Sequence, residues 1–398
     1  MPMTSFLIIS DTHAFVSSGT GDKPSLLEAT HTGSTNMLRS VADLLKQEDL
    51  QPDWIICPGD LGDKASPEGQ SFVWAELNAL KAAVNAKFLL GAAGNHDLDS
   101  RFANSAFDPM ANIKALRPPF PGITDLDCDK YWSRHYSIYH DGQCRILNLN
   151  SSAFHGYGVE TGTPKEFEHG RVSERTISNI VDEVKIVDFP INILLTHHHI
   201  VSNEHIYADE YSEMRGGSRL MHRLTSATKS SWIVIHGHLH YPELDYGRGS
   251  ALAPVVLSAG SASAHHYGGS SESPPNQIYF LKLADDAQEL DGWAPCGTIS
   301  AWFWSPDGRW ERSPSRHKVP YGTGFGTRLN PTQAADRFER VLNSSGQPYV
   351  YFHEAFEIDP LLKYLLPADL DLAVRELVKR RLKVTPGDMR ADSLLRRV

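Results

Sequence analysis

Short apolar runs alternate with amphipathic stretches through the first 285 residues. Phe6–Ile9, Asp53–Cys57, Lys87–Gly91, Ile191–Leu195 and Ser231–Ile235 each hold a run of four or five largely apolar residues, and each ends abruptly in polar ones. Runs of that length, rich in Ile, Leu, Val and Trp, predict buried β-strands. Between them the spacing changes. Met37, Val41, Leu44 and Leu45 predict a helix over about 35–47. Val73, Leu77, Leu80 and Val84 predict a second, started by Ser66-Pro67-Glu68. Val172, Ile177, Ile180, Val181 and Val184 mark a third over 171–186, and Leu220 and Leu224 a fourth over 218–225. Tyr131–Tyr139 and Gln143–Leu149 read as strands around His140-Asp141-Gly142, and Val255–Leu257 and Gln277–Leu283 as two more. Strands alternating with helices predict an α/β fold, in which ligands sit outside the carboxyl ends of the strands.

The pattern changes near Ala284–Gly292, a polar, acidic stretch that predicts a boundary between 1–287 and 288–398. Beyond it a hairpin is predicted from Ser300–Trp304 to Trp310. Helices are predicted over Pro331–Leu342, capped by Asn330, and over Pro367–Leu382, with acids first and bases last. The glycines of Tyr321–Thr327 lead into no helix start with phosphate-binding spacing, so nucleotide binding there is not expected.

At 398 residues the chain is long for a single core, and the 41% of hydrophobic residues suffice for a large one. A net charge of −10 argues against bulk attraction to nucleic acid or to an anionic membrane. No stretch approaches the roughly 20 apolar residues of a membrane span, and the first ten residues lack the basic segment of a secretion signal. Cys57, Cys128, Cys144 and Cys296 have no metal-binding spacing and read as free thiols, so a cytoplasmic setting is expected.

The nineteen histidines matter for where they fall. Each of the five apolar runs is followed by metal-competent groups: Asp11 and His13; Asp60 in Gly59-Asp60-Leu61; Asn95, His96 and Asp97 after Gly94; His197, His198 and His199; then His236, His238 and His240 around Gly237. Taken singly, each is commonly a turn acid or a surface histidine. Five in succession at strand ends point to one metal centre. A nitrogen and oxygen donor set without cysteine suits manganese, iron, zinc, nickel or cobalt.

In this order the motifs D-x-H, G-D, G-N-H-D and G-H-x-H resemble the calcineurin-like metallophosphoesterases, over roughly residues 5–285. The spacing of the first three is particularly similar to the cyclic-nucleotide-phosphodiesterase-like branch. The resemblance implies a four-layer α/β/β/α sandwich of two mixed sheets flanked by helices, with a C-terminal α+β accessory region. It implies two divalent transition-metal ions, manganese foremost. Asp11, His13 and His240 would hold one, Asn95, His197 and His238 the other, and Asp60 would bridge them. His198 is the alternative to His197. A hydroxide shared by the ions would attack phosphorus in a phosphodiester or phosphomonoester, a nucleotide among them. His96 would stabilise the phosphate or protonate the leaving oxygen, and Asp97 would orient His96. The partner expected is thus a small phosphate ester. A nuclease is the second enzymatic reading, disfavoured by the acidic charge. An inactive scaffold is disfavoured because no ligand is missing. Residues 288–398 are read as a module for oligomerisation or for a protein partner.

Overall fold

The computed structural model describes residues 4–17, 23–29, 36–156, 165–201, 212–249, 252–265, 274–284 and 295–397. Two mixed sheets lie face to face. The first runs in the order Trp310–Arg312, Gly297–Trp304, Gln277–Leu283, Ser5–Ile8, Trp54–Cys57, Phe88–Gly91, with Thr323–Phe325 also pairing on Gly297–Trp304. The second runs Tyr136–Asp141, Cys144–Leu149, Ile191–Leu195, Ile233–His236, Val255–Ser258, Glu243–Tyr246. The strands that carry the five motifs run parallel to one another within each sheet, Ser5–Ile8 with Trp54–Cys57 and Phe88–Gly91 in the first and Ile191–Leu195 with Ile233–His236 in the second, while Ser5–Ile8 is antiparallel to Gln277–Leu283 on its other side.

These strands are apolar throughout because both of their faces are covered. Phe6 and Ile8 point between the sheets, where they meet Ile56, Ile193, Ile235 and Leu257. Leu7 and Ile9 point outward onto Val41 and Leu45 of the helix Ser40–Gln47 and Val73 and Leu77 of the helix Pro67–Ala83. On the second sheet, Leu194 and Val234 face Ile177, Ile180 and Leu224 of the helices Glu174–Val184 and Gly217–Thr228. The result is the α/β/β/α layering expected.

Two stretches differ from expectation: the last helix ends at Lys379, with Leu382 already in the strand Leu382–Thr385, and the segment before His135 is helical. Residues 125–134 are a helix, and only Tyr136–Asp141 is a strand. The aromatic content of Tyr131–Tyr139 suggests a strand, but Thr124 caps a helix by accepting from the Asp127 N–H, and Asp125 and Asp127 fill its first turn. The helix stops at His135, which takes a left-handed conformation with φ 68°.

Residues after 287 do two separate things. Gly297–Phe325 adds three strands to the first sheet. From Leu329 a second core forms, where Phe338 and Val341 of the helix Pro331–Ser345 meet Leu370 and Leu377 of Pro367–Lys379. A three-stranded sheet in the order Tyr349–Tyr351, Leu394–Arg397, Leu382–Thr385 completes it. The polar stretch 285–292 and His266 lie outside the described residues. Among the described residues no helix is long and apolar enough to cross a membrane.

The two parts meet around Arg328, whose guanidinium lies 3.9 Å over the Tyr246 ring. Asp369, in the first turn of the helix Pro367–Lys379, stands there beside Asp245. Burial, followed by the Asp245 charge, pushes Asp369 up to about 6, with Arg328 opposing. A carboxyl raised in the folded state favours folding below its unfolded value of 3.8 and loses that contribution as pH rises through about 6. At full strength the shift is worth about 3 kcal/mol. Solvent screening at a partly exposed site reduces it to about 1 kcal/mol. Asp369→Asn is therefore expected to stabilise the protein by about 1 kcal/mol at pH 7.5 and to change nothing near pH 3.5, as read by urea unfolding at the two pH values.

Candidate metal centre

The residues predicted from the strand ends converge where the carboxyl edges of the two sheets meet. Asp11, His13, Asp60 and His240 form one cluster whose ligand atoms all lie within 4.8 Å of one another. In it the Nε2 atoms of His13 and His240 are 3.0 Å apart, and Asp11 Oδ1 is 3.3 Å from His240 Nε2. In a second cluster, Asn95 Oδ1 lies 2.9 Å from His197 Nε2 and 3.1 Å from His238 Nδ1. Asp60 stands between the two, with Oδ2 3.3 Å from His13 Nε2 and 3.4 Å from His197 Nε2. Its other oxygen accepts the His96 N–H at 2.8 Å.

The backbone is bent to bring this about. Asp11, His13, Asp60, His238 and His240 all have positive φ, between 45° and 74°. Such left-handed conformations are uncommon outside glycine and collect at functional sites. Glycine serves here by close approach. A Cβ on Gly237 would overlap the Asp11 carboxylate, and one on Gly94 would overlap the Asp60 carboxylate.

The donor set fits divalent cations. Asp11 and Asp60 are 0% and 1% exposed, and no lysine or arginine pairs with either among the described residues. Buried carboxylates require positive charge nearby. In the protein alone, imidazolium supplies it. Burial would depress His197, but Asp60, Asp11 and Asp97 push it up to about 9. The His197 Nδ1–H faces the Pro58 carbonyl at 3.0 Å, an acceptor that keeps the proton on Nδ1 and turns Nε2 toward Asn95 and Asp60. His198 is also buried. Its Nδ1 meets Ser151 Oγ at 2.8 Å, and it groups with His197 and His238.

Asp97 does not meet His96. Its carboxylate accepts the N–H groups of Asp60, Leu61 and Gly94 at 2.8, 2.8 and 2.9 Å, so it braces two of the motif turns from inside. Burial and the Asp60 charge push it up to about 7, against the pull of those donors. Asp63 takes the place beside His96, with Oδ1 3.2 Å from Nδ1. Burial pulls His96 down, yet Asp60 and Asp63 outweigh it and hold the imidazole above its usual range. Nothing in the local pattern singles out Asp63. Its only signal is its place three residues after Asp60, in the same turn.

The sequence model for calcineurin-like phosphoesterases matches residues 4–242, more than half of the chain. The chain belongs to the calcineurin-like phosphoesterase family. A second model, named wHTH-Calcineurin_assc, matches residues 323–379. A protein of Rhodococcus erythropolis named as a probable cyclic nucleotide phosphodiesterase is 23% identical over 232 residues, covering 58% of this chain and 64% of that relative. A dimetal phosphatase from Danio rerio aligns with a TM-score of 0.47 and 14% identity over 76% of this chain and 96% of its own. The purple acid phosphatase PPD1 from yellow lupin (Lupinus luteus) seeds aligns with a TM-score of 0.47 and 15% identity, over 78% and 53%.

The site's dependence on close approach is testable. Gly237→Ala is expected to fold, because the overlap is confined to the Asp11 carboxylate and the Ser10 hydroxyl, but to lose most of its bound divalent metal. Circular dichroism and elemental analysis after dialysis against manganese measure the two properties.

Proposed function

We propose that the chain is a two-metal hydrolase of small phosphate esters. Asp11, His13 and His240 hold one cation, Asn95, His197 and His238 hold the other, and Asp60 is shared. The observation that carries this is the position of Asp60, whose single Oδ2 lies within 3.4 Å of a histidine nitrogen from each cluster. Two cations that share a carboxylate are the usual arrangement for phosphoester hydrolysis, because paired charges clamp the attacking and leaving oxygens. When bound, the metals supply Lewis acidity and neutralise the phosphate. Manganese is the first choice, with iron, zinc, nickel and cobalt suited to the same donors.

The chain's own groups do the rest. His96, with 32% of its side chain exposed, is the imidazole at the edge of the clusters that a substrate can reach. Asp63 sets its ring orientation and favours its protonated form, so His96 can donate to a phosphate oxygen or to the departing alkoxide. Asp97 holds the Asp60 and Gly94 turns in register through backbone N–H groups. The substrate class includes monoesters, diesters and nucleotides. A cytoplasmic setting agrees with four buried free thiols. The module after Leu329, with its separate core, serves a partner or a second copy of the chain.

His96→Ala is expected to keep both metals and lower kcat by about 10²–10⁴-fold; full turnover with full metal would remove His96 from the reaction. His197→Ala is expected to lose one of two metals, and His198→Asn to keep both. Metal stoichiometry on the three variants, with hydrolysis of an aryl phosphodiester and an aryl monoester in manganese, tests the whole assignment.

A further inference from the structure

Beside the clusters lies a cavity of about 160 Å³, most of whose lining the proposed chemistry does not use. His96 and Asn95 line it together with Lys64, Arg101 and Phe167. A space of this size takes one ring or one phosphate group; about 150 Å³ is enough for benzene. An alcohol that left phosphorus with a proton from His96 would have this cavity beside it.

The lining is built for an anion. Asp99, the one acid among the lining residues, is 3% exposed. Its carboxylate is already engaged by the N–H groups of Ala103, Asn104 and Ser105, at 2.8, 2.6 and 2.7 Å. Those bonds fix the loop that carries Arg101. Arg101 makes no ion pair among the described residues, and its guanidinium sits 5.1 Å over the Phe167 ring. Lys165 approaches the same ring at 5.4 Å. A ring face holds an arginine in place while leaving its N–H groups for a carboxylate or phosphate. Lys64 lies on the same wall but is already paired, with Nζ 3.9 Å from Asp63 Oδ2, so Arg101 is the principal anchor.

We propose that this cavity is the leaving-group subsite, and that Arg101, aided by Lys64, selects esters whose alcohol half carries a second anion, a carboxylate or a phosphate. The inference rests on the phosphoesterase reading above. Hydrolysis joins a water oxygen to phosphorus, breaks the bond from phosphorus to the alcohol oxygen and returns a proton to that oxygen. Nothing is oxidised or reduced, and the second anion is unchanged.

The test compares the methyl diesters of 4-carboxyphenyl and 4-carbamoylphenyl phosphate, which match in shape and differ in charge, on the manganese-loaded full chain. The wild type is expected to prefer the carboxylate by about tenfold in kcat/KM. Arg101→Ala is expected to bring the ratio close to one, mainly through KM, and Lys64→Ala to reduce it in part. Equal rates on the two esters in the wild type, or an equal loss on both in Arg101→Ala, would overturn the proposal. Binding of 4-hydroxybenzoate, read by ligand-observed NMR, separates this from the wider reading. Arg101-dependent binding without ester turnover supports the subsite and removes the phosphoesterase assignment. No binding to the wild type removes the subsite, whatever the turnover.

Discussion

The candidate centre depends on a buried carboxylate that cannot stand alone. Asp60 is 1% exposed and has no lysine or arginine beside it among the described residues. An unpaired carboxylate in that position costs several kcal/mol. The surrounding chain is arranged so that positive charge must gather on two sides of it. The left-handed turns at Asp11, His13, Asp60, His238 and His240 turn donors inward. Glycine at 94 and at 237 leaves room for the carboxylates. Asp97 spends its oxygens on backbone N–H groups and so fixes the turns that hold Asp60. Strain of this kind persists only where the rest of the fold over-determines it. Two sheets packed through a continuous apolar layer provide that rigidity.

The residues that cluster at the candidate centre were legible because each lies just after an apolar run, and the carboxyl ends of parallel strands are where an α/β fold exposes its loops. The fold class followed from the same alternation. Other features carried no periodic signal. Asp97 seemed a partner for His96 because the two are adjacent in sequence. In the turn they diverge, Asp97 inward to three N–H groups and His96 outward to Asp63. Asp63 becomes visible only when the turn after Asp60 folds back. The helix at 125–134 was hidden by its aromatic residues, although its Thr124 cap was there to be read. The strands Leu382–Thr385 and Leu394–Arg397 are four residues each, and both include exposed charges. Such short segments cannot show alternation.

On the proposed function, the clusters would act on the phosphate and not on what is attached to it. Selectivity has to come from outside them. The loop around Asp99 is suited to that task, since its acid is turned inward and its cation outward. The three N–H bonds to Asp99 hold the acid against its own loop and leave Arg101 to meet an anion, in a chain whose net charge is −10. With Arg101 as its anchor, the proposed subsite would favour a small ester whose alcohol half carries a second anion.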